Sequence, residues 1–392
     1  MHAGAAGPGA RSELTRLRTH LVGWLTQSAY PRWAEQGVDP RNGGFVEALD
    51  QNGGALVAPR RARVHPRQIY AFAAAPRFGW PGDVVRIVDA GLRYFTSYYR
   101  RADGLFRTLA DHAGASLDDR ALLYDQAFAL LGLAAASRAL DARAECERRA
   151  LELRAQIERR FGTSDGVFRS CAESDGDRES NPHMHLLEAC LGWAEIGADG
   201  GWADWVRRLI HLGLNRFIRA DNGAIGEAFL PSGQPADGLP GRLIEPGHQF
   251  EWAWLLLRGE ALYPVSLRET ARRLIAIGNE AGVRNQVAVN AMLEDFSIHD
   301  PNARLWPQTE RLKAALLAAR LTGEAHYWRM AQAAASSFLP YLRTAVAGVW
   351  FDVQLPSGEM LDSPAPASTL YHLVGALAEL DQAVAEPFSA QR

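Results

Sequence analysis

Histidine and glutamate recur at the starts of apolar, helix-like stretches of this chain. In Glu245-Pro246-Gly247-His248-Gln249-Phe250-Glu251-Trp252, His248 and Glu251 stand three residues apart and share one helical face. A carboxylate beside an imidazole fixes its tautomer and keeps its pKa near neutrality, as proton transfer to and from a substrate requires. The run Trp252-Ala253-Trp254-Leu255-Leu256-Leu257 follows directly. It predicts burial beyond the first turn, which separates this pair from an ordinary surface His–Glu couple. A second stretch offers Asn181, His183 and His185. The two histidines are two apart and face different ways, and His185 lies on the Asn181 side, so His185 is the expected pocket residue. A third places His372 after Tyr371 in an apolar run. Arg67, Gln308 and Glu310 add polar groups at further helix starts, and Tyr124, Trp252 and Trp306 are aromatics able to stack on the apolar face of a small ligand.

The elements that position these groups repeat. Apolar helical runs begin at Pro66, Tyr124, Pro182, Pro246, Pro307 and Tyr371, in steps of 58, 58, 64, 61 and 64 residues. Four start with proline, which suits a first helical turn because its missing N–H costs nothing there. Between them come short Gly-bounded segments: Asp103-Gly104-Leu105-Phe106-Arg107, its counterparts at 43–47, 165–169, 222–226 and 348–352, and a degenerate copy near 285–300. Each reads as a turn followed by a short strand. Further helical windows with more Arg and Glu, such as 202–219, 267–282 and 324–343, fill the remainder. Six helix pairs with the apolar members inside predict an all-α, closed (α/α)6 barrel rather than an open solenoid. All six polar helix starts would then meet at one mouth, where convergent polar groups in an apolar concavity mark a site.

The remaining signals bound the function. A net charge of −3 over 392 residues gives no nucleic-acid footprint. Lys313 is the single lysine, which reads as a compositional bias toward arginine, and the Arg60-Arg61-Ala62-Arg63 run reads as a solvated loop. Cys146, Cys171 and Cys190 show no CxxC spacing, so no disulfide framework or zinc site is expected and a reducing cytoplasm fits. Residues 1–12 read as a disordered tail without signal-peptide character, and 13–385 as a single catalytic domain. No apolar window is long enough to span a membrane.

Three strings carry a family resemblance: Asn181-Pro182-His183-Met184-His185-Leu186, the 245–252 stretch above, and Arg304-Leu305-Trp306-Pro307-Gln308-Thr309-Glu310. With Arg67-Gln68-Ile69-Tyr70 and Tyr371-His372, they resemble the N-acylglucosamine 2-epimerase superfamily, which includes mannose and sulfoquinovose isomerases, over roughly residues 20–380. The resemblance implies sugar chemistry without metal or cofactor. His185 would assist ring opening, His248 and His372 would shuttle a proton between C1 and C2 through an enediol, and Arg67, Tyr124, Asn181 and Glu251 would bind or orient. The 245–252 string looks closer to the mannose-type enzymes, so D-mannose and D-fructose are the expected pair, with lyxose and xylulose as related sugars. C2 epimerisation of mannose, glucose or an N-acylglucosamine needs the same residues. The expected partner is a small monosaccharide, with no nucleic acid or membrane, and the protein would be a monomer or homodimer. The fifth repeat departs from the pattern over 290–300, a mouth loop expected to shape the pocket. Two carboxylates among Asp125, Glu251 and Glu310 would instead suit glycoside hydrolysis. The three histidines together would suit a catalytic metal, and polar residues spread along a concave face would suit a non-catalytic scaffold.

Overall fold

The computed structural model describes residues 8–385. In chain order the helices are α1 (Pro8–Trp24), α2 (Tyr30–Gln36), α3 (Val64–Ala73), α4 (Val84–Tyr99), α5 (Leu123–Ala139), α6 (Arg143–Phe161) and α7 (Ser180–Glu195). They continue as α8 (Trp202–Leu212), a one-turn α9 (Leu239–Arg242), α10 (Pro246–Gly259), α11 (Arg268–Ala276), α12 (Leu305–Thr322), α13 (Ala325–Ser337) and α14 (Ser368–Ala385). Helix α1 starts at Pro8, so residues 8–12 of the expected tail are helical; residues 1–7 lie outside the described residues.

Helices α3, α5, α7, α10, α12 and α14 form an inner ring, each packed on the next, with α14 returning to α3. Their composition explains the placement. In α5, α7, α10 and α12 nearly every residue is buried whatever its direction, because apolar residues and small alanines run all round the helix. The outer helices bury one stripe only. In α8, Trp202, Val206, Leu209 and Ile210 face inward at helical spacing, while Arg207 and Arg208 stay outside. The architecture is an (α/α)6 barrel.

A girdle of short antiparallel pairings closes the ring at the mouth. The residues entering each inner helix pair with the loop of the next repeat: Arg60 with Ala110, Leu122 with Cys171, Glu179 with Ala228, Ile244 with Met292, Arg304 with Val353, and Leu49 with Ala365 for the last step. Closure is reinforced by Gln68, which donates from Nε2 to the Ala367 carbonyl at 2.6 Å.

A second repeated device fixes each loop to its own helix. The Phe106 N–H donates to Gln126 Oε1 at 2.8 Å, while Gln126 Nε2 donates to the Phe106 carbonyl at 2.8 Å and to the Leu122 carbonyl at 3.0 Å. Gln249 holds Ile225 and Glu245 in the same way, and Gln308 holds Ala288 and Arg304. His183 takes the position in the third inner helix, accepting from the Phe168 N–H and bonding the Glu179 carbonyl; His65 accepts from the Phe45 N–H in the first. These clamps satisfy buried backbone groups that would otherwise go unpaired.

The fifth copy is present in altered form. Val283–Arg284 and Val287–Ala288 make a hairpin whose turn residues, Asn285 and Gln286, take φ of 48° and 72° where other copies use glycine. Segment 290–300 is a second hairpin, pairing Ala291–Met292 with Ile298–Asp300. Among the described residues none of 290–300 borders the mouth cavity, contrary to expectation; Met292 instead braces Ile244 ahead of α10.

Candidate active site

A cavity of about 580 Å³ opens at the N-terminal ends of the inner helices. Arg67, Tyr124, Asn181, His185, His248, Glu251, Trp306 and His372 all border it, and together they come from all six inner helices. Trp306 stands between two of the histidines, its ring centroid 5.2 Å from that of His248 and 5.6 Å from that of His372. Gly247 permits this: a Cβ there would fall 2.4 Å from the Trp306 ring.

Each of the three histidines presents its Nδ1 to a glutamate. His185 Nδ1 lies 3.2 Å from Glu188 Oε2, His248 Nδ1 2.8 Å from Glu227 Oε2, and His372 Nδ1 2.8 Å from Glu310 Oε1. A carboxylate only accepts, so Nδ1 carries the proton and Nε2 is the nitrogen left for substrate. The surroundings then push the three rings apart. Burial lowers His185 to about 4 despite Glu188. Burial, with the charges of Arg67 and Lys313, holds His372 well below the usual histidine range. Burial would depress His248 as well, but the Glu227 and Glu245 carboxylates outweigh it and raise the ring to about 10. At neutral pH the site therefore holds a neutral imidazole at His372 and an imidazolium at His248. Such a split is how an environment assigns base and acid roles.

The tautomer partner of His248 is thus Glu227, on the loop ahead of α10, and not Glu251. Glu251 approaches His185 instead, with 3.8 Å between Oε1 and Nδ1, and neither of its carboxylate oxygens has a hydrogen-bond partner among the described residues. Burial and the Glu310 charge push its carboxyl well above the usual range. The Asn181 Oδ1 is likewise buried and unpartnered. Arg67 donates from Nη2 to the Tyr124 hydroxyl at 2.6 Å and lies over Phe128, its guanidinium carbon 3.9 Å from the ring centre. It has no carboxylate ion-pair partner among the described residues, so its charge is free for a substrate oxygen. The other arginines at the mouth are neutralised: Arg61 by Glu47, Arg63 by Asp125 and Arg304 by Asp352. Arg60, expected in a solvated loop, is buried against Asp39 and Tyr94.

Three expected binding residues lie elsewhere. Trp252 is 1% exposed and packs behind the ring against Gly213 and Phe217, because its helix is buried on every face. Gln308 is a loop clamp. Glu310 lies beneath His372 and does not reach the cavity. Of the carboxylates considered for hydrolysis, Asp125 and Glu310 are both withdrawn from the cavity and only Glu251 borders it. Among the described residues, the groups of ligating atoms close enough to share an ion are His185 with Glu188 and Glu251, Glu227 with Glu245 and His248, and Glu251 with Glu310 and His372. None unites the three histidines.

Glu227 escaped the sequence reading, yet a signal was there. The fourth residue after the left-handed glycine of each loop is polar: Glu47, Thr108, Ser170, Glu227 and Asp352. Glu47 and Glu227 bond side chains at the entry of the following inner helix, Arg61 and His248, and Asp352 accepts from Thr369 of the following α14 as well as from Arg304 ahead of the preceding α12.

Residues 43–376 match the model of the N-acylglucosamine 2-epimerase (GlcNAc 2-epimerase) family. The chain is 43% identical over 373 residues to a mannose-6-phosphate isomerase of Rhizobium meliloti (strain 1021), covering 92% of this chain and 96% of that one. It is 29% identical to a D-mannose isomerase of Pseudomonas cannabina pv. alisalensis over 64% of this chain and 68% of the relative. In fold it resembles the cellobiose 2-epimerase of Spirochaeta thermophila DSM 6192, with TM-score 0.86, 22% identity and coverage of 97% and 99% of the two chains. It also resembles a D-mannose isomerase crystal structure, with TM-score 0.83, 19% identity and coverage of 94% and 97%. The chain belongs to the N-acylglucosamine 2-epimerase family, and it is an enzyme of the sugar isomerase and epimerase class.

Proposed function

We propose that this enzyme interconverts D-mannose and D-fructose, with the pentoses lyxose and xylulose as related substrates, by proton transfer through an enediol. The observation that carries this reading is the set of three imidazoles, each fixed at Nδ1 by a glutamate around one cavity. His185 assists opening of the sugar ring. His372 Nε2, neutral, takes the proton from C2 of the open aldose while His248 hands a proton to O1, giving the enediol. His248 then recovers a proton from O2 as His372 returns its proton to C1, which leaves the ketose. Each group ends as it began, so no cofactor is consumed. Arg67 stabilises the oxygen on which charge develops, Asn181 and Tyr124 orient hydroxyls, and Trp306 stacks on the carbon face. Such acid and base assistance supplies roughly 10²–10⁴-fold each.

Incubation with mannose, glucose, fructose and N-acetylmannosamine in D₂O, read by NMR, tests this. Ketose from mannose with deuterium on a sugar carbon is the expected result. An epimeric aldose labelled at C2 would replace isomerisation by epimerisation.

A second reading, a phosphorylated hexose, is favoured by the mannose-6-phosphate isomerase relative and by the arginines at the mouth. Against it stands the pairing of Arg61, Arg63 and Arg304 with carboxylates. Mannose and mannose 6-phosphate compared at equal concentration decide between the two through kcat/KM.

A further inference from the structure

Lys313 is the only lysine in 392 residues, and it is buried at 1% exposure. All the other Lys/Arg positions are arginine, so the ammonium here is not explained by composition. Its Nζ lies 2.6 Å from Glu310 Oε2, and 3.6 Å from the centre of the Trp254 ring. Charged and titratable groups that interact with it come from several inner helices: Glu310 from its own α12, Glu251 from α10, Glu188 from α7, His372 from α14 and Tyr70 from α3. A compact ammonium matches this place better than a planar guanidinium, which needs a wider fork of acceptors.

Glu310 bridges Lys313 and a residue of the site. One carboxylate oxygen meets Lys313 and the other meets His372 Nδ1. An anion buried at 0% exposure is costly unless a cation compensates it. Were Glu310 to take up a proton, its hold on the Nδ1–H of His372 would be lost, and the ring could place its proton on Nε2, which could then accept nothing from substrate.

We propose that Lys313 is a positioning residue of the reaction: its ammonium keeps Glu310 a carboxylate, and Glu310 keeps His372 in the tautomer whose Nε2 is open. This rests on the reading of His372 as the base. The electrostatics agree. Burial opposes the charge of Lys313, but Glu310, Glu251 and Glu188 outweigh it and raise its pKa. Burial holds Glu310 above the usual carboxylate range, and Lys313 is the largest influence drawing it back down, so without the ammonium Glu310 would lie higher still.

A single lysine makes the charge state directly visible. Lysine-selective ¹³Cε and ¹⁵Nζ labelling of the full chain gives one side-chain resonance, expected at the ammonium position and unmoved between pH 6 and 9. A neutral-amine resonance at pH 7 overturns the proposal. In Lys313→Met, kcat is expected to fall about 10–100-fold with KM held within about threefold. The acidic limb of its pH–rate profile is expected to rise by about one unit, because His372 loses a nearby cation that opposes its protonation. Lys313→Arg restores the cation and is expected to restore the acidic limb. A Lys313→Met profile that superimposes on the wild type overturns the proposal. If Lys313→Met does not fold, the wild-type resonance and the Lys313→Arg profile decide the matter. Full turnover by His372→Asn would sink the base assignment instead, and the lysine resonance, which needs no substrate, keeps the two failures apart.

Discussion

The Glu227 carboxylate meets His248 Nδ1 at 2.8 Å from a loop, across the mouth of the helix that carries the histidine. The imidazolium charge of His248 therefore depends on a residue outside its own helix. Glu227→Gln removes that charge, so the raised pKa of about 10 falls back toward neutrality. A group with a raised pKa is protonated below it and loses its proton as pH climbs, so the basic limb of the pH–rate profile moves down by at least about one unit. At pH 8 kcat/KM drops about 10–100-fold. A basic limb unchanged in Glu227→Gln would remove His248 from the acid role.

His183 does structurally what Gln126, Gln249 and Gln308 do, but it can take up a proton. Burial lowers it to about 4, and it is neutral in the clamp. Its folded pKa lies below the unfolded value of 6.5, so between pH 6.5 and 4 the unfolded chain binds the extra proton and stability falls as pH falls. His183→Gln keeps an acceptor for the Phe168 N–H and a donor for the Glu179 carbonyl. Its melting temperature should match the wild type near pH 7.5 and exceed it at pH 5. A loss of stability at pH 7.5 would mean that the ring packing of His183 against Phe168 and Phe217 matters more than the clamp.

The two tryptophans expected to bind sugar separate cleanly. Trp306→Ala removes the surface between His248 and His372 and should raise KM about tenfold, with a small effect on melting. Trp252→Ala opens a hole in the core and should cost about 3–5 kcal/mol of stability, with the KM of the folded enzyme unchanged. Thermal melts and Michaelis constants on the same preparations check both, and a raised KM in Trp252→Ala would place it at the substrate after all.

The barrel was legible because its period is written twice, in proline-led helices and in glycine turns. Helix starts came within three residues of the observed ones: α3 begins at Val64 against Pro66, and α14 at Ser368 against Tyr371. The site was legible only where chemistry and helix position coincide, as at His185, His248 and His372. Gln308 misled because a polar residue at a buried helix start serves equally to hold a loop, and sequence does not say which way it turns. Glu227 was hidden because partnership between a loop and a helix 21 residues away has no local period. Lys313 was hidden for a different reason: rarity of a residue type says nothing about burial.

The girdle that pairs Leu49 with Ala365 also removes any first or last member from the array. An open stack of repeats has two terminal units that bury one side only and need polar caps; here every helix pair is flanked on both sides, with Arg18 of α1 bonded to Asp381 of α14 at 2.5 Å. The sequence order is then one of several equivalent ways to cut a circle. Linking the two ends and opening the chain in an outer loop, such as the turn between α6 and α5 around Asp141, preserves every neighbour relation in the ring.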